Sequence, residues 1–362
     1  MLDVALKLLE EFNNASYKAY IVGGFVRDYI LGIESNDVDI TTNATPKQVM
    51  ELFEDSFLSS KDYGTVTVIK KNVKFEITTF RKEINYLDSR HPAEIKYIDD
   101  LYQDLLRRDF TINTLCMDKN GEILDFLGGR ADLDNKIIKT VGEANLRFRE
   151  DTLRILRAIR FATSLNFSLD KEVIAAIQEN KTLLKKISYN KKREELDKIF
   201  VNSNANRGIE LLLEYNLNND LELERLDKVT NTDSLIGIWS VLNVTDLYPF
   251  SNNEKELILN INTVLNMDNY DKMTLYKYGL YVNSVAGDIK GLDKKKITEE
   301  YNNLVIHSRS DLEITSDDIM HLLGKGPGEY LKSIYDDLVY QVLYLNVENE
   351  KEKLEEYILN KY

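Results

Sequence analysis

Two aspartates one residue apart, Asp37 and Asp39, open the β-branched run DVDITT (37–42). Side chains alternate along a strand, so both carboxylates belong to one face. Left unpaired, they cost stability or take up a proton. A divalent cation removes that conflict. Mg²⁺ takes hard oxygen ligands and keeps positions open for substrate phosphates. In a two-metal site one ion lowers the pKa of an attacking hydroxyl while both stabilise charge at phosphorus. Glu76, in the alternating run KFEITTF, is a candidate third ligand. Taken alone, an Asp-x-Asp pair is more often the solvated edge of a strand.

The neighbouring residues point to phosphate. Gly23 and Gly24 follow the apolar run AYIV (19–22) and open a helix at RDYILG. Without Cβ atoms, such a turn lets backbone N–H groups approach a phosphate, and the helix dipole favours the anion. Arg27, one turn in, is placed to clamp triphosphate oxygens.

The elements that must carry these residues form an α/β unit through about residue 130. GTVTVIKK (64–71) and VKFEITTF (73–80) read as further strands, with Asn72 in a tight turn between them. DFLGGRADLDNK (125–136) reads as the closing loop. Strand signals then fade. Leu153, Leu156, Ile159 and Ala162 recur at helical spacing, as do Val173, Ile174, Ile177, Leu183 and Leu184, and helices with polar loops continue through 205–362. The four prolines, at 46, 92, 249 and 327, fall in apparent loops or at helix starts.

A chain of 362 residues accommodates two to four domains. Its hydrophobic content of 43% and charged content of 30% are those of a globular protein, and no stretch suits a membrane span. The start, MLDVALKLLEEFNNAS, reads as an amphipathic helix and not as a secretory signal. A single cysteine, Cys116, excludes an internal disulfide and a cysteine-rich zinc site, and fits a reducing, cytoplasmic setting. The net charge of −14 argues against a polyanionic partner, but its distribution does not. Residues 1–135 carry net −8, residues 136–200 net +6 and residues 201–362 net −12. A basic middle between acidic flanks is able to steer a polyanion to one place, and a Lys-rich solvated helical surface gives the same pattern.

The ordered motifs resemble the class II tRNA nucleotidyltransferase and poly(A) polymerase family of the DNA polymerase β superfamily. GGFVRD…LG…DVDITTNATP is similar to its catalytic motif, and RRDFTIN (107–113) to its second. GGRADLDNKIIKTVGEANLRFREDTLRILRAIRFA (128–162) resembles the linker and nucleotide-selecting motif, and REELDKIF (193–200) the last neck motif. The preceding SYNKK departs from the family's usual Glu-Arg-Ile. LLGKGPGEYLKSIYDDLVYQVL (322–343) is a weaker match to the tail.

The resemblance implies an α+β fold: a nucleotidyltransferase head (1–135), then an all-helical neck (136–200), body (201–270) and tail (271–362). It implies template-free addition of nucleotides to an RNA 3′ end, with Mg²⁺ as cofactor. Arg108 is then expected at the triphosphate and Asp109 at the ribose hydroxyls, with Asn113 behind them. On a helical wheel Arg154 lies between Glu150 and Asp151, which sets an acceptor beside a donor. Cytosine and adenine both present an amine next to a ring acceptor, whereas uracil and guanine reverse that order. An Asp-Arg pair therefore accepts the first two and leaves the others with clashing polarity. Arg157 and Arg160 reach phosphates or hold the acid. His91 and Cys116 read as ordinary structure.

YGTVTV (63–68) resembles the CCA-adding branch, and RKEINYLDSRHPAEIKYIDDLYQ (81–103) is similar to the flexible loop of full CCA-adding enzymes. The expected reaction is completion of the tRNA 3′ CCA end from CTP and ATP, with the tRNA held through its 3′ end and acceptor/elbow region. Same-chemistry alternatives are A-adding, CC-adding or poly(A)-forming enzymes. A different class is an RNA-binding protein with a retired catalytic head. With three histidines in the chain, a His-Asp phosphohydrolase domain is not expected.

Overall fold

The computed structural model describes residues 1–362 apart from 36, 61–63, 87–91, 231 and 268–270. His91, Tyr63 and the tip of the 81–103 segment therefore lie outside the described residues. The chain divides into two compact units, Met1–Leu223 and Glu224–Tyr362.

The first unit begins with α1 (Leu2–Asn14), which buries Ala5, Leu8, Leu9 and Phe12. β1 (Ala19–Val22) leads through Gly23 into α2 (Gly24–Leu31), and β2 (Asp39–Thr42) follows. α3 (Pro46–Leu52) starts on a capping box between Thr45 and Gln48, with proline at its first position. Next come β3 (Ser56–Ser60), β4 (Thr65–Lys70) and β5 (Val73–Thr79). The β4–β5 turn is Lys71-Asn72, both at positive φ, which suits a tight two-residue hairpin.

Segment 81–103 contains a hairpin, β6 (Arg81–Tyr86) with β7 (Pro92–Tyr97), and the start of α4 (Leu101–Leu106). Pro92 thus begins a strand, where a missing N–H is tolerated, and is not a loop residue. After a 3₁₀ turn (Thr111–Asn113) come β8 (Cys116–Met117) and β9 (Ile123–Leu124). α5 (Gly129–Asp134) occupies part of the stretch read above as a closing loop. Gly128, in the left-handed region, and the Asp125 carboxylate, which accepts from Gly129 and Arg130 N–H, start it.

Seven strands form one sheet in the order β3-β4-β5-β2-β1-β8-β9. All neighbours are antiparallel except β2 and β5, which run parallel with Asp39 opposite Glu76. In the antiparallel β1–β2 pair Val22 faces Asp39. That register brings the end of β1, with its Gly23-Gly24 turn, beside the start of β2. Val22, Phe80, Leu101, Leu105 and Cys116 form an apolar cluster between sheet and α4, and burial pushes the Cys116 thiol up to about 12.

The helical part of this unit holds α6 (Ala144–Glu150), α7 (Leu153–Leu165), α8 (Lys171–Asn180) and α9 (Tyr189–Phe200). α10 (Ala205–Glu214) and α11 (Leu217–Asp220) complete it. A short parallel ladder, β10 (Ile137–Ile138) with β11 (Ser168–Leu169), joins the two stretches, though strand signals fade in the sequence there. Two residues per strand are too few to show an alternation. Helices α7, α9 and α10 approach closely at Gly208, where a Cβ would stand 2.4 Å from Ile199 Cγ2. In the second unit, α12 (Leu235–Leu242), α13 (Asn252–Leu265), α14 (Lys272–Ile289) and α15 (Lys294–Asn302) are followed by α16 (Ser316–Leu323), α17 (Tyr330–Leu343) and α18 (Lys351–Lys361). Among the described residues no helix is long and apolar enough to cross a membrane.

Candidate active site

Asp37 and Asp39 are exposed and Val38 between them is fully buried, so the alternation begins before the regular strand does. Only Asp39 belongs to β2; Asp37 lies just ahead of it. Asp39 keeps contact with solvent, yet desolvation at the start of the central strand and repulsion from Asp37 push its carboxyl up to about 6, with Arg108 opposing and Glu76 adding. The set is short of positive charge and offers only oxygen donors, which suits a hard divalent cation. Among the described residues no cluster of three or more His, Cys, Asp or Glu side chains is arranged to hold a metal ion. Two carboxylates with remaining positions left to substrate oxygens is the arrangement expected where Mg²⁺ arrives with a nucleotide.

Gly23 sits at φ 78° and ψ −133°, a conformation L-residues rarely adopt. A Cβ there would stand 3.7 Å from Arg108 Nη1 and 4.0 Å from Asp39 Oδ2. The glycine turn, the carboxylate and the second-motif arginine therefore meet at one point. Gly24 is the first residue of α2, beside the Arg27 guanidinium.

Arg27 is buried. Its Nη1 donates to Asn113 Oδ1 at 2.8 Å and its Nε to Asp28 Oδ1 at 2.8 Å. Asn113 donates onward to Asp109 Oδ1 at 3.1 Å, and the Phe110 N–H donates to the same oxygen at 2.8 Å. The other oxygen of Asp109 accepts from Arg157 Nε at 2.9 Å. Burial opposes charge on Asp109, but Arg157 and these donors hold its carboxyl well below the usual range. Arg157 thus holds an acid of the head, and Arg160 makes an ion pair with Glu195 at 3.0 Å. The Phe161 ring lies against the Arg27, Arg157 and Arg160 guanidiniums at 5.3, 5.6 and 4.5 Å from its centroid.

The stretch that resembles the nucleotide-selecting motif is not one helix. α6 ends at Glu150, Asp151 is extended at φ −139° and ψ 98°, and α7 starts at Leu153. The wheel that places Arg154 between Glu150 and Asp151 therefore does not apply across this joint. Asp151 instead caps the new turn, its Oδ1 accepting from Leu153 N–H at 3.1 Å. Arg154 is buried, with Nη1 donating to Arg147 O at 3.2 Å and to Glu150 Oε2 at 3.3 Å, and Nη2 to Arg107 O at 3.0 Å.

Asp104, Arg147 and Phe161 carry this site's connections; Arg147 and Phe161 lie in the 128–162 stretch without being singled out there, and Asp104 lies outside every motif. Asp104 is fully buried and accepts from Thr41, Arg107, Arg108 and the Arg81 N–H. Arg147 donates to the Arg108 carbonyl at 2.7 Å. The one available hint was a lone acid three and four residues before Arg107 and Arg108.

A pair of carboxylates at the start of a central strand, beside a glycine turn and an arginine, in a mixed sheet followed by helices, defines a nucleotidyltransferase. The family profile described as Poly A polymerase head domain matches residues 19–139, and that of tRNA nucleotidyltransferase domain 2 matches 243–358. The CCA-adding enzyme of Geobacillus sp. (strain WCH70) is 34% identical over an alignment covering 99% of this chain and 96% of that protein. That of Staphylococcus haemolyticus is 34% identical over 98% and 96%. The crystal structure of the Bacillus stearothermophilus CCA-adding enzyme in complex with CTP superposes with a TM-score of 0.89 at 29% identity, covering 99% of this chain and 97% of the other. The chain belongs to the family of CCA-adding enzymes, whose members depend on divalent metal.

Proposed function

We infer that this protein builds and repairs the 3′-terminal CCA of tRNA from CTP and ATP in the cytoplasm, releasing diphosphate. The observation that carries the inference is the meeting of Gly23, Asp39 and Arg108 within a fold matched along nearly the whole chain by CCA-adding enzymes. Asp37 and Asp39 would hold Mg²⁺, with Glu76 flanking them in register with Asp39. When bound, the ion supplies positive charge at the attacking 3′-oxygen and the α-phosphate.

This chain's own groups do the rest. The Gly23-Gly24 turn lets α2 N–H groups approach phosphate oxygens, and Arg108 donates to the triphosphate. Arg27, behind the turn, is held to Asn113 and supports that positive wall. Asp109, kept ionised, is the residue we assign to the ribose hydroxyls. They would reach it by displacing one of the donors its oxygens hold here, Asn113, the Phe110 N–H and Arg157. Asp151 at the joint and Arg154 beside it offer acceptor and donor to the base edge. A guanidinium carries five N–H donors, so the backbone contacts of Arg154 leave donors over for that task. Arg157 and Arg160 are spent on acids and set the frame. We assign 1–135 as head, 136–200 as neck, 201–270 as body and 271–362 as tail, with RNA contacts concentrated on the basic neck.

The test uses tRNAs ending before CCA, after C and after CC, with CTP and ATP supplied separately and together. CTP alone extends the first two to CC, ATP alone completes only the third, and the two together complete all three. With both nucleotides present, a long A tract, a stall after CC, or extension of CC ends alone would each overturn full CCA addition. The double variant Asp37→Ala, Asp39→Ala loses incorporation and keeps tRNA binding; full activity in it would overturn the metal-holding role.

A further inference from the structure

Asp104 lies in α4, outside every motif that carries the chemistry, yet it joins three parts of the site. It is 0% exposed. Its Oδ1 accepts from Arg107 Nε at 2.8 Å and from the Arg81 N–H, at the root of the β6–β7 hairpin, at 3.1 Å. Its Oδ2 accepts from Arg108 Nη2 and from Thr41 Oγ1 of β2, both at 3.3 Å. One buried carboxylate thus spans the hairpin, the strand that carries Asp39, and both arginines of the RRD motif.

The reach extends to the neck through the backbone. The Arg107 carbonyl accepts from Arg154 Nη2 at 3.0 Å and from Arg147 Nη2 at 2.5 Å. Arg147 also donates to Glu150 Oε2, the carboxylate oxygen that meets Arg154 Nη1. The position of Arg154 is therefore set by a carbonyl at the C-terminal end of α4. The last turn of α4 is in turn pinned by Asp104 through the side chain of Arg107 and, from the hairpin, by Glu83, whose Oε1 takes Arg81 Nε at 3.0 Å and Arg107 Nη1 at 3.5 Å.

We propose that Asp104 is a positioning residue for base choice: it fixes Arg108 at the triphosphate and, through the Arg107 carbonyl, Arg154 at the base. The proposal rests on the reading of this site given under Proposed function. Loss of its charge loosens both arginines together. Base choice made by opposed donors and acceptors depends on their placement, because a displaced guanidinium no longer penalises the wrong edge.

The experiment compares Asp104→Asn and Arg107→Lys with the unaltered full-length protein on tRNA ending before CCA. It measures kcat and KM for CTP and for UTP. Partial unfolding lowers both turnovers alike, so the ratio of their kcat/KM values is insensitive to a merely structural effect. The expected result is a CTP-over-UTP preference reduced about tenfold in both variants, with a raised KM for CTP in Asp104→Asn. Arg107→Lys keeps the charge but not the fork, and decides the matter where Asp104→Asn does not fold. If the unaltered protein adds CCA and the folded variants keep its preference within about twofold, the role of Asp104 is refuted while the function stands. If the unaltered protein incorporates neither nucleotide, the functional reading falls and this proposal with it.

Discussion

Replacing Arg157 by methionine keeps an unbranched stem about as far as the arginine Nε and removes the guanidinium facing Asp109. The Asp109 carboxylate stays buried at 8% exposure, with the Asn113 amide and the Phe110 N–H as its remaining donors. Breaking a fully buried pair from one side costs about 3–5 kcal/mol. The Arg157 side chain is 33% exposed, so solvent screens part of the interaction and the expectation falls to about 2 kcal/mol. A double-mutant cycle with Asp109→Asn, read by urea denaturation followed through the first unit, isolates that coupling. Its pH dependence has a definite sign. The folded pKa of Asp109 is depressed, so the stabilisation is complete above the unfolded value of about 3.9 and is lost as pH falls below it toward the folded value. The coupling is therefore constant between about pH 7 and pH 5 and shrinks only below about pH 4. A coupling under about 0.5 kcal/mol at pH 7, in the range of exposed surface pairs, would refute the argument. So would a coupling that already changes between about pH 7 and pH 5.

Gly23→Ala forces a Cβ into the left-handed region and toward Asp39 and Arg108; about 1–2 kcal/mol of strain is expected, with a raised KM for CTP in steady-state assays. Gly208→Ala pushes a methyl against Ile199 and Thr163 and lowers stability by about 1–3 kcal/mol on thermal or urea unfolding, while the CTP-to-UTP ratio is unchanged. Chelation of divalent ions abolishes incorporation and added Mg²⁺ restores it; turnover that persists in excess chelator contradicts the role given to Asp37 and Asp39. Arg154→Ala lowers discrimination against UTP by at least about tenfold, measured as misincorporation on tRNA ending before CCA.

The chemistry of this site was largely legible in the residues, because short-range rules govern the parts. Period-two alternation put Asp37 and Asp39 on one side of Val38, and a glycine turn after an apolar strand marked the start of α2. β1 follows from an apolar run, β4 and β5 from β-branched alternation, and α7 from apolar residues at helical spacing. The two-residue strands β8 to β11 do not, since pairing, not pattern, defines them. The break at Asp151 was hidden for a related reason. Helical spacing continues across EDTLR in the sequence, and the interruption comes from what the neighbouring groups bond: Arg147 and Arg154 reach carbonyls of another segment.

Which arginines are bound to acids distant in the sequence was decided only by the tertiary structure. Arg27, Arg108, Arg154, Arg157 and Arg160 share one residue type, and local spacing cannot tell a phosphate clamp from the partner of a buried acid. Sequence-distant acids separate them: Asp109 takes Arg157 across 48 residues and Glu195 takes Arg160 from the neighbouring helix. Asp104 is the sharpest case. Its place at the centre of the site comes from the stacking of α4 on the sheet, which brings Thr41, Arg81, Arg107 and Arg108 around one carboxylate. The sequence by itself determined what chemistry the chain can perform. Long-range packing, which no local period encodes, decided which charged side chains meet at one point and which acids and carbonyls hold them there.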